Sequence, residues 1–416
     1  MRQLRQSLLI LMVAMAQLTG WAQRHEIFSD QIATLQVVAG NDWLSPPVTY
    51  LDGKPIHISF DELSHDYHRF TYKIEHCDAD WSVSDGLFEN DYIDGFTEGN
   101  LIEDTEESLN TNVLYTHYRL TIPNEHCRLK MSGNDRLTVL DDNNDGEPML
   151  TACFMVVDPK ASVSMTVTTN TDIDVNKDHQ QVLMQVNYPD LKVFTPATQI
   201  KTVVMQNGRW DNAVVNAPYQ KTMHEALGWD HCRALIFDGG NEYRKFEVLS
   251  TDHPTLGIDR MRWDGEMFHA YVFLDEPRPN YLYDEDANGA FYIRNSDNME
   301  NERLTDYVMV HFQLACPSPV DGDVYLNGVW TNDQFLPQYK MEYDYATHSY
   351  QAAIPLKMGY YSYQYVLIDS DGYAQVMPTE GSYFETENQY QALIYYREPG
   401  GRADLLVGYQ QVRLAH

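Results

Sequence analysis

The sequence predicts an all-β protein made of tandem β-sandwich domains. Residues 308–314 (VMVHFQL) and 360–368 (YYSYQYVLI) alternate and are rich in β-branched and aromatic side chains, the pattern of half-buried strands. Turn residues recur roughly every 8 to 12 positions along the chain, a spacing that sandwiches produce. Helical periodicity is weak throughout.

Taken in order, residues 1–22 read as a secretory signal. Arg2 and Arg5 precede an apolar run over 8–16, and Gly20 and Ala22 flank Trp21 ahead of Gln23. That run is too short to span a bilayer, and no Cys lies nearby to accept a lipid. The first folded unit, 23–158, ends in a hairpin: RLTVL over 136–140, the turn DDNNDG over 141–146, a strand over 149–157, and Pro159 as terminator. A second sandwich is expected over 159–280, with strands at 164–169, 181–187 and 199–205 and with Leu183 and Val204 in its core. Residues 281–302 read as an acidic connector that crosses or pairs with a neighbouring domain. A third unit occupies 303–416.

Asp and Glu outnumber Lys and Arg 61 to 29, for a formal charge of −32. Affinity for phosphate backbones comes from neutralising them with basic groups, so nucleic-acid binding is excluded and anionic lipid surfaces are disfavoured. No later stretch approaches the ~20 apolar residues of a membrane helix, so direct membrane insertion is not expected. The charge favours solubility and basic or polar protein partners.

Motifs for catalysis are missing. There is no Gly-x-Ser-x-Gly elbow, His-Glu-x-x-His helix or phosphate loop; His224-Glu225 lacks its second His because Gly228 stands there. Carboxylate pairs such as Asp78 with Asp80, Glu103 with Asp104 and Glu106 with Glu107 are what chance gives in so acidic a chain, so a glycosidase is disfavoured. DEDANG over 284–289 and DDNNDG over 141–146 match the opening of a calcium loop, with Asp284, Asp286 and Asn288 as ligand candidates. Each lacks the closing Glu, since the twelfth positions hold Asn295 and Ala152, and an acidic turn is the simpler reading. The pairs His76-Cys77, His126-Cys127 and His231-Cys232 suggest zinc, but neighbours on a strand point to opposite faces and cannot share an ion. No metal and no cofactor is expected. Five scattered cysteines do not make a disulfide scaffold, and the odd count leaves at least one unbridged within the chain.

Four segments carry a resemblance: EHCDADW over 75–81, DYIDGF over 91–96, YTHYRLTIPNE over 115–125 and FMVVD over 154–158. In order and spacing they resemble the plug protein of the type IX secretion system. The likeness continues through DGGNEYRKF (238–246), DEDANGAF (284–291) and DYVMVHF (306–312). It implies a plug domain followed by immunoglobulin-like domains, no enzymatic activity, and a periplasmic location at the outer membrane. The implied partner is the giant outer-membrane β-barrel translocon, whose periplasmic mouth the family closes. Asp78, Asp80, Trp81, Asp91, Tyr92, Asp94 and Phe96 are the implied partner-binding residues, with the acidic stretch 97–112 beside them. For Asp78, Asp80 and Trp81 a structural account stands alongside: Trp81 anchors a strand end and the acids cap the next turn. Asp135 is a departure, standing where the family pattern leads one to expect an aromatic residue. Cys77 lies in the motif without a fixed partner in the family, which favours a buried thiol over a Cys77 to Cys127 bridge.

The third unit shows a second likeness. VYLNGVW over 324–330 and KMGYYSYQY over 357–365 are similar to early-set immunoglobulin-like modules that bind glycogen or starch. Trp330, Tyr361 and Tyr363 are the corresponding glycan candidates, against the alternative that they fill a sandwich core.

Overall fold

The computed structural model describes residues 25–66, 68–296 and 301–414, so the secretory signal read over 1–22 lies outside the described residues. The chain forms three β-sandwiches. In the first, strands Ile32–Ala39, Ile56–Glu62, Thr116–Ile122 and Asp104–Glu107 form one sheet. The facing sheet runs Glu26–Ile27, Glu147–Val157, Gly133–Asp141, Phe70–Cys77 and Asn100–Leu101, with Val48–Tyr50 added parallel to Glu147–Val157. Between them pack Ile58, Phe60, Phe70, Ile74, Leu137 and Phe154, and the Tyr118 ring stacks on Phe60 at 5.2 Å. The hairpin turn at 141–146 forms because Asp141 accepts the Asn143 N–H at 2.9 Å and Asp145 and Gly146 adopt left-handed φ values of 51° and 72°.

One strand of this sandwich is buried on both faces. Along Glu147–Val157, Leu150, Ala152, Phe154 and Val156 point into the first core. Cys153, Met155 and Val157 point away from it, into a separate apolar cluster with Val203, Met205, Leu393, Tyr395 and Leu406 of the second sandwich. A continuous apolar run such as ACFMVV is what a strand covered on both faces requires.

The second sandwich pairs a sheet of Ser162–Thr168, His179–Asn187, Ala226–Trp229 and Lys221–Met223 with a sheet of Val214–Val215, Ile200–Gln206, Gln389–Tyr396 and Leu405–Arg413. The third is built on Gly359–Ile368, which pairs with Arg244–Val248 and Phe291–Ile293, and on the facing order Ile258–Trp263, Phe268–Val272, Tyr307–Ala315, Ser349–Lys357, Glu342–Asp344. These memberships correct the sequence-based division at 280 and 303. Strands from 244 to 272 belong to the third sandwich, where Phe246, Ile258 and Ala270 are core residues. The strands over 389–413 return to the second, Tyr390, Ala392 and Ile394 packing in its core. Alternation marks a strand but does not say which sheet it joins; that is decided by side-chain fit across the ladder, here Val204 opposite Ala392. Val204 is fully buried. Leu183 is not in the core: Val182, Met184 and Val186 face inward, so Leu183 falls on the outer face.

A buried polar cluster joins the first and third sandwiches. Asp61 accepts hydrogen bonds from Lys357 Nζ at 2.6 Å and Tyr307 Oη at 2.7 Å, and its other oxygen is 2.6 Å from His117 Nδ1. The Lys357 ammonium sits 4.0 Å from the centre of the Tyr115 ring. Burial disfavours the charged carboxylate, but Lys357 and His117 outweigh it and hold Asp61 below its ordinary pKa.

Candidate docking surface

The motif over 75–81 sits at the end of strand Phe70–Cys77, where the chain turns sharply. The turn closes through Trp81 N–H to Asp78 O at 2.9 Å and Asp78 N–H to Ser82 O at 2.8 Å, with Trp81 at φ 63°. Its side chains reach the second sandwich. Asp78 Oδ1 accepts the Asp404 N–H at 3.0 Å and its Oδ2 pairs with Arg397. Asp404 returns the exchange by accepting the Ala79 N–H at 3.1 Å, and it pairs with Lys201 at 2.7 Å. Burial raises the Asp404 carboxyl, but Lys201 and the Ala79 N–H prevail and hold it below its usual range. Asn134 Nδ2 donates to Asp78 O at 2.9 Å, and its Oδ1 accepts from Tyr395 Oη at 2.8 Å. Trp81 packs edge-on against Trp210 at 5.8 Å.

Asp78 and Trp81 are therefore committed to the seam between two domains of the same chain, which corrects their assignment as partner-binding residues. The reason is geometric: the strand end that carries them abuts the sheet containing Leu393 and Tyr395. Asp80 holds its own turn, accepting the Ser82 N–H at 3.1 Å.

The stretch 91–96 behaves differently. Asp91 accepts the Phe88 N–H at 2.9 Å and pairs with Arg402 at 2.8 Å. The half-buried Tyr92 donates to Ile74 O at 3.3 Å. Strand Ile93–Gly95 then pairs with Cys127–Leu129, leaving Asp94 exposed and Phe96 67% exposed. Phe88, which sequence reasoning did not single out, is 75% exposed. The signal available for it was a lone aromatic between Gly86-Leu87 and the acidic Glu89. Arg402 also donates to Gly86 O at 2.9 Å, so this loop is tied to the second sandwich while two large rings face solvent. Monomer surfaces carry scattered apolar side chains, but rings this open on an anchored loop suit contact with another protein. In the neighbouring acidic stretch, Asp104 and Glu106 both pair with Arg119.

The glycan candidates are core residues. Trp330, Tyr361 and Tyr363 are 8%, 2% and 1% exposed, Trp330 Nε1 donates to Ser362 O at 3.1 Å, and the Trp330 ring stacks on Phe312. No sugar face can reach them. In the turn at 284–289, Asp284 pairs with Lys245 at 2.6 Å, while Asp286 accepts the Asn288 N–H at 2.7 Å and the Tyr243 N–H. The Asp284 and Asp286 carboxylates thus already serve protein groups. Among the described residues no group of three or more His, Cys, Asp or Glu is arranged to hold a metal. All five cysteines are unbridged and buried, and burial pushes the Cys127 thiol up to about 12.

Asp135 faces the first core beside Leu137 and Val139, opposite Phe154 on the adjoining strand. It is 1% exposed, its Oδ2 has no hydrogen-bond partner, and burial raises its pKa to about 8.

These features define a class: an all-β, multi-sandwich body whose most distinctive motif joins its own domains. Within that class, the model of the type 9 secretion system plug protein 1st domain matches residues 32–158, and the chain belongs to that family. The crystal structure of a hypothetical protein from Parabacteroides merdae is 37% identical, with a TM-score of 0.91, covering 94% of this chain and 99% of that one. The partial N-terminal region of an enterococcal surface protein aligns over 95% of each chain at 7% identity, and its TM-score of 0.19 carries no argument. No curated protein matches. No helix among the described residues is long and apolar enough to cross a membrane.

Proposed function

We propose that this chain is a non-enzymatic component of type IX secretion that docks in the periplasm on the giant outer-membrane β-barrel translocon and closes its periplasmic opening. The observation that carries the reading is the family domain over 32–158, seated in a body whose sandwiches are braced against one another. The apolar seam around Trp81 and the buried Asp61–Lys357 cluster hold the first sandwich to the second and third. A braced β body blocks a pore by steric occupation and needs no chemistry; only binding free energy holds it there. Phe88, Asp94 and Phe96, on the anchored loop of the family domain, are the contact residues of this reading.

Affinity isolation of the processed chain from envelope extracts tests it. A very large β-barrel is expected to come along, and Phe88→Asp with Phe96→Asp is expected to lose it while the protein stays folded. Cells lacking the chain should leak small molecules through the open pore. Unchanged permeability together with no barrel recovered would defeat the proposal.

A further inference from the structure

We propose that the cavity where the three sandwiches meet binds an organic cation, an ammonium or guanidinium group on a short apolar stem, as carried by a lysine or arginine side chain or by a free amine. The cavity encloses about 220 Å³. Each sandwich supplies part of its wall: Val37 and Met155 come from the first, Met205 and Trp210 from the second and Phe291 from the third. These five are at most 9% exposed, whereas Leu44 and Val329, at 49% and 43%, mark the mouth. Junctions between domains are where pockets with apolar walls and a few polar groups form.

Charge decides the class of ligand. Two carboxyls of the third module line the cavity, Asp286 and Asp333. Among the described residues Asp333 takes one hydrogen bond, from Asn327 Nδ2 to its Oδ1 at 3.2 Å, which leaves Oδ2 for an incoming donor. Asp286 already accepts the N–H groups of Asn288 and Tyr243, but hydrogen bonds from neutral amides do not cancel its charge. The nearby cations are engaged with other acids. Arg413, on the wall, pairs with Glu387 at 2.8 Å, and Arg209, whose charge reaches Asp333, holds Asp211 through Nε at 3.0 Å. His25, also on the wall, stays neutral because burial lowers its pKa to about 4.

Burial raises both carboxyls to about 7, and the Asp211 carboxylate adds to the effect at Asp333. An entering cation therefore meets negative charge that no protein group neutralises. A bare metal ion gains nothing from the apolar wall, and calcium would want at least about six oxygens. A cation on a hydrocarbon stem uses both halves of the cavity: its stem lies against the thioethers of Met155 and Met205, and its charge is met by Asp333 and by aromatic rings.

Calorimetric titration of the full processed chain with agmatine tests the site, in about 0.15 M salt so that loose attraction to the acidic surface is screened. Saturable one-to-one binding is expected. Asp333→Asn, which keeps the Asn327 bond, and Ala287→Trp, which fills the cavity from its wall, should each weaken it about tenfold or more with unchanged circular dichroism. Asp371→Asn, an exposed acid away from the cavity, should leave it unchanged, and pentan-1-ol, a stem without charge, should bind far more weakly. Equal affinity for N-acetyl-arginine amide would assign the site to a protein side chain, and a preference for agmatine would assign it to a free amine; either supports the inference. No saturable binding of either probe overturns it, as does binding that Asp333→Asn and Ala287→Trp both leave intact.

Discussion

Replacing Asp135 by Asn should stabilise the protein, and by an amount that depends on pH. The carboxyl sits in an apolar core with one oxygen unpartnered, and its pKa rises from 3.8 to about 8 on folding. A raised folded-state value means that the group contributes fully only below its unfolded pKa, near 3.8. Its contribution falls as pH rises and is gone above about 8. The interval is roughly 4 pKa units, and at about 1.4 kcal/mol per unit the total loss is of order 6 kcal/mol, with about 4 of it already incurred at neutral pH. Asn keeps the shape without the titration. Urea unfolding of both proteins at about pH 5, 7 and 8.5 should therefore show the variant's advantage growing across the first interval and flattening beyond the last. A stability difference that stays constant with pH, or shrinks as pH rises, would refute the claim that Asp135 folds as a neutral acid.

Lys357→Met leaves Asp61 buried without its cation and should cost about 3–5 kcal/mol in urea unfolding, while the double variant Lys357→Met/Asp61→Leu should recover much of that loss. Trp81→Ala should cost about 3–5 kcal/mol and open the seam between the first two sandwiches, read as new protease cleavage near residues 78–84. Trp330→Ala should likewise lower the thermal midpoint, and soluble glucans should retard neither it nor the wild type in affinity electrophoresis.

The strands were legible from alternation alone, because a side-chain period of two is a local property of the chain. Their assembly was not. Ile200–Gln206 finds its partner in Gln389–Tyr396, and nothing near either segment records so distant a pairing. The motif at 75–81 was legible as a special feature, but its use was not: Asp78 looks like a free acid until Arg397 and Asp404 are brought beside it. Trp330, Tyr361 and Tyr363 illustrate the same limit, since an aromatic strand reads alike whether its rings meet sugar or one another. Phe88 lay in the stretch between two recognised segments and drew no attention because one ring in a polar loop has no period.

The return of Leu405–Arg413 to the middle sandwich has a consequence for biogenesis. The third module is spliced into the second rather than appended to it, so the second lacks two of the strands of one sheet until almost the entire polypeptide is available. A nascent or partly delivered chain thus presents an open, sticky half-sheet, and a truncation designed to remove only the last module would also cripple its neighbour.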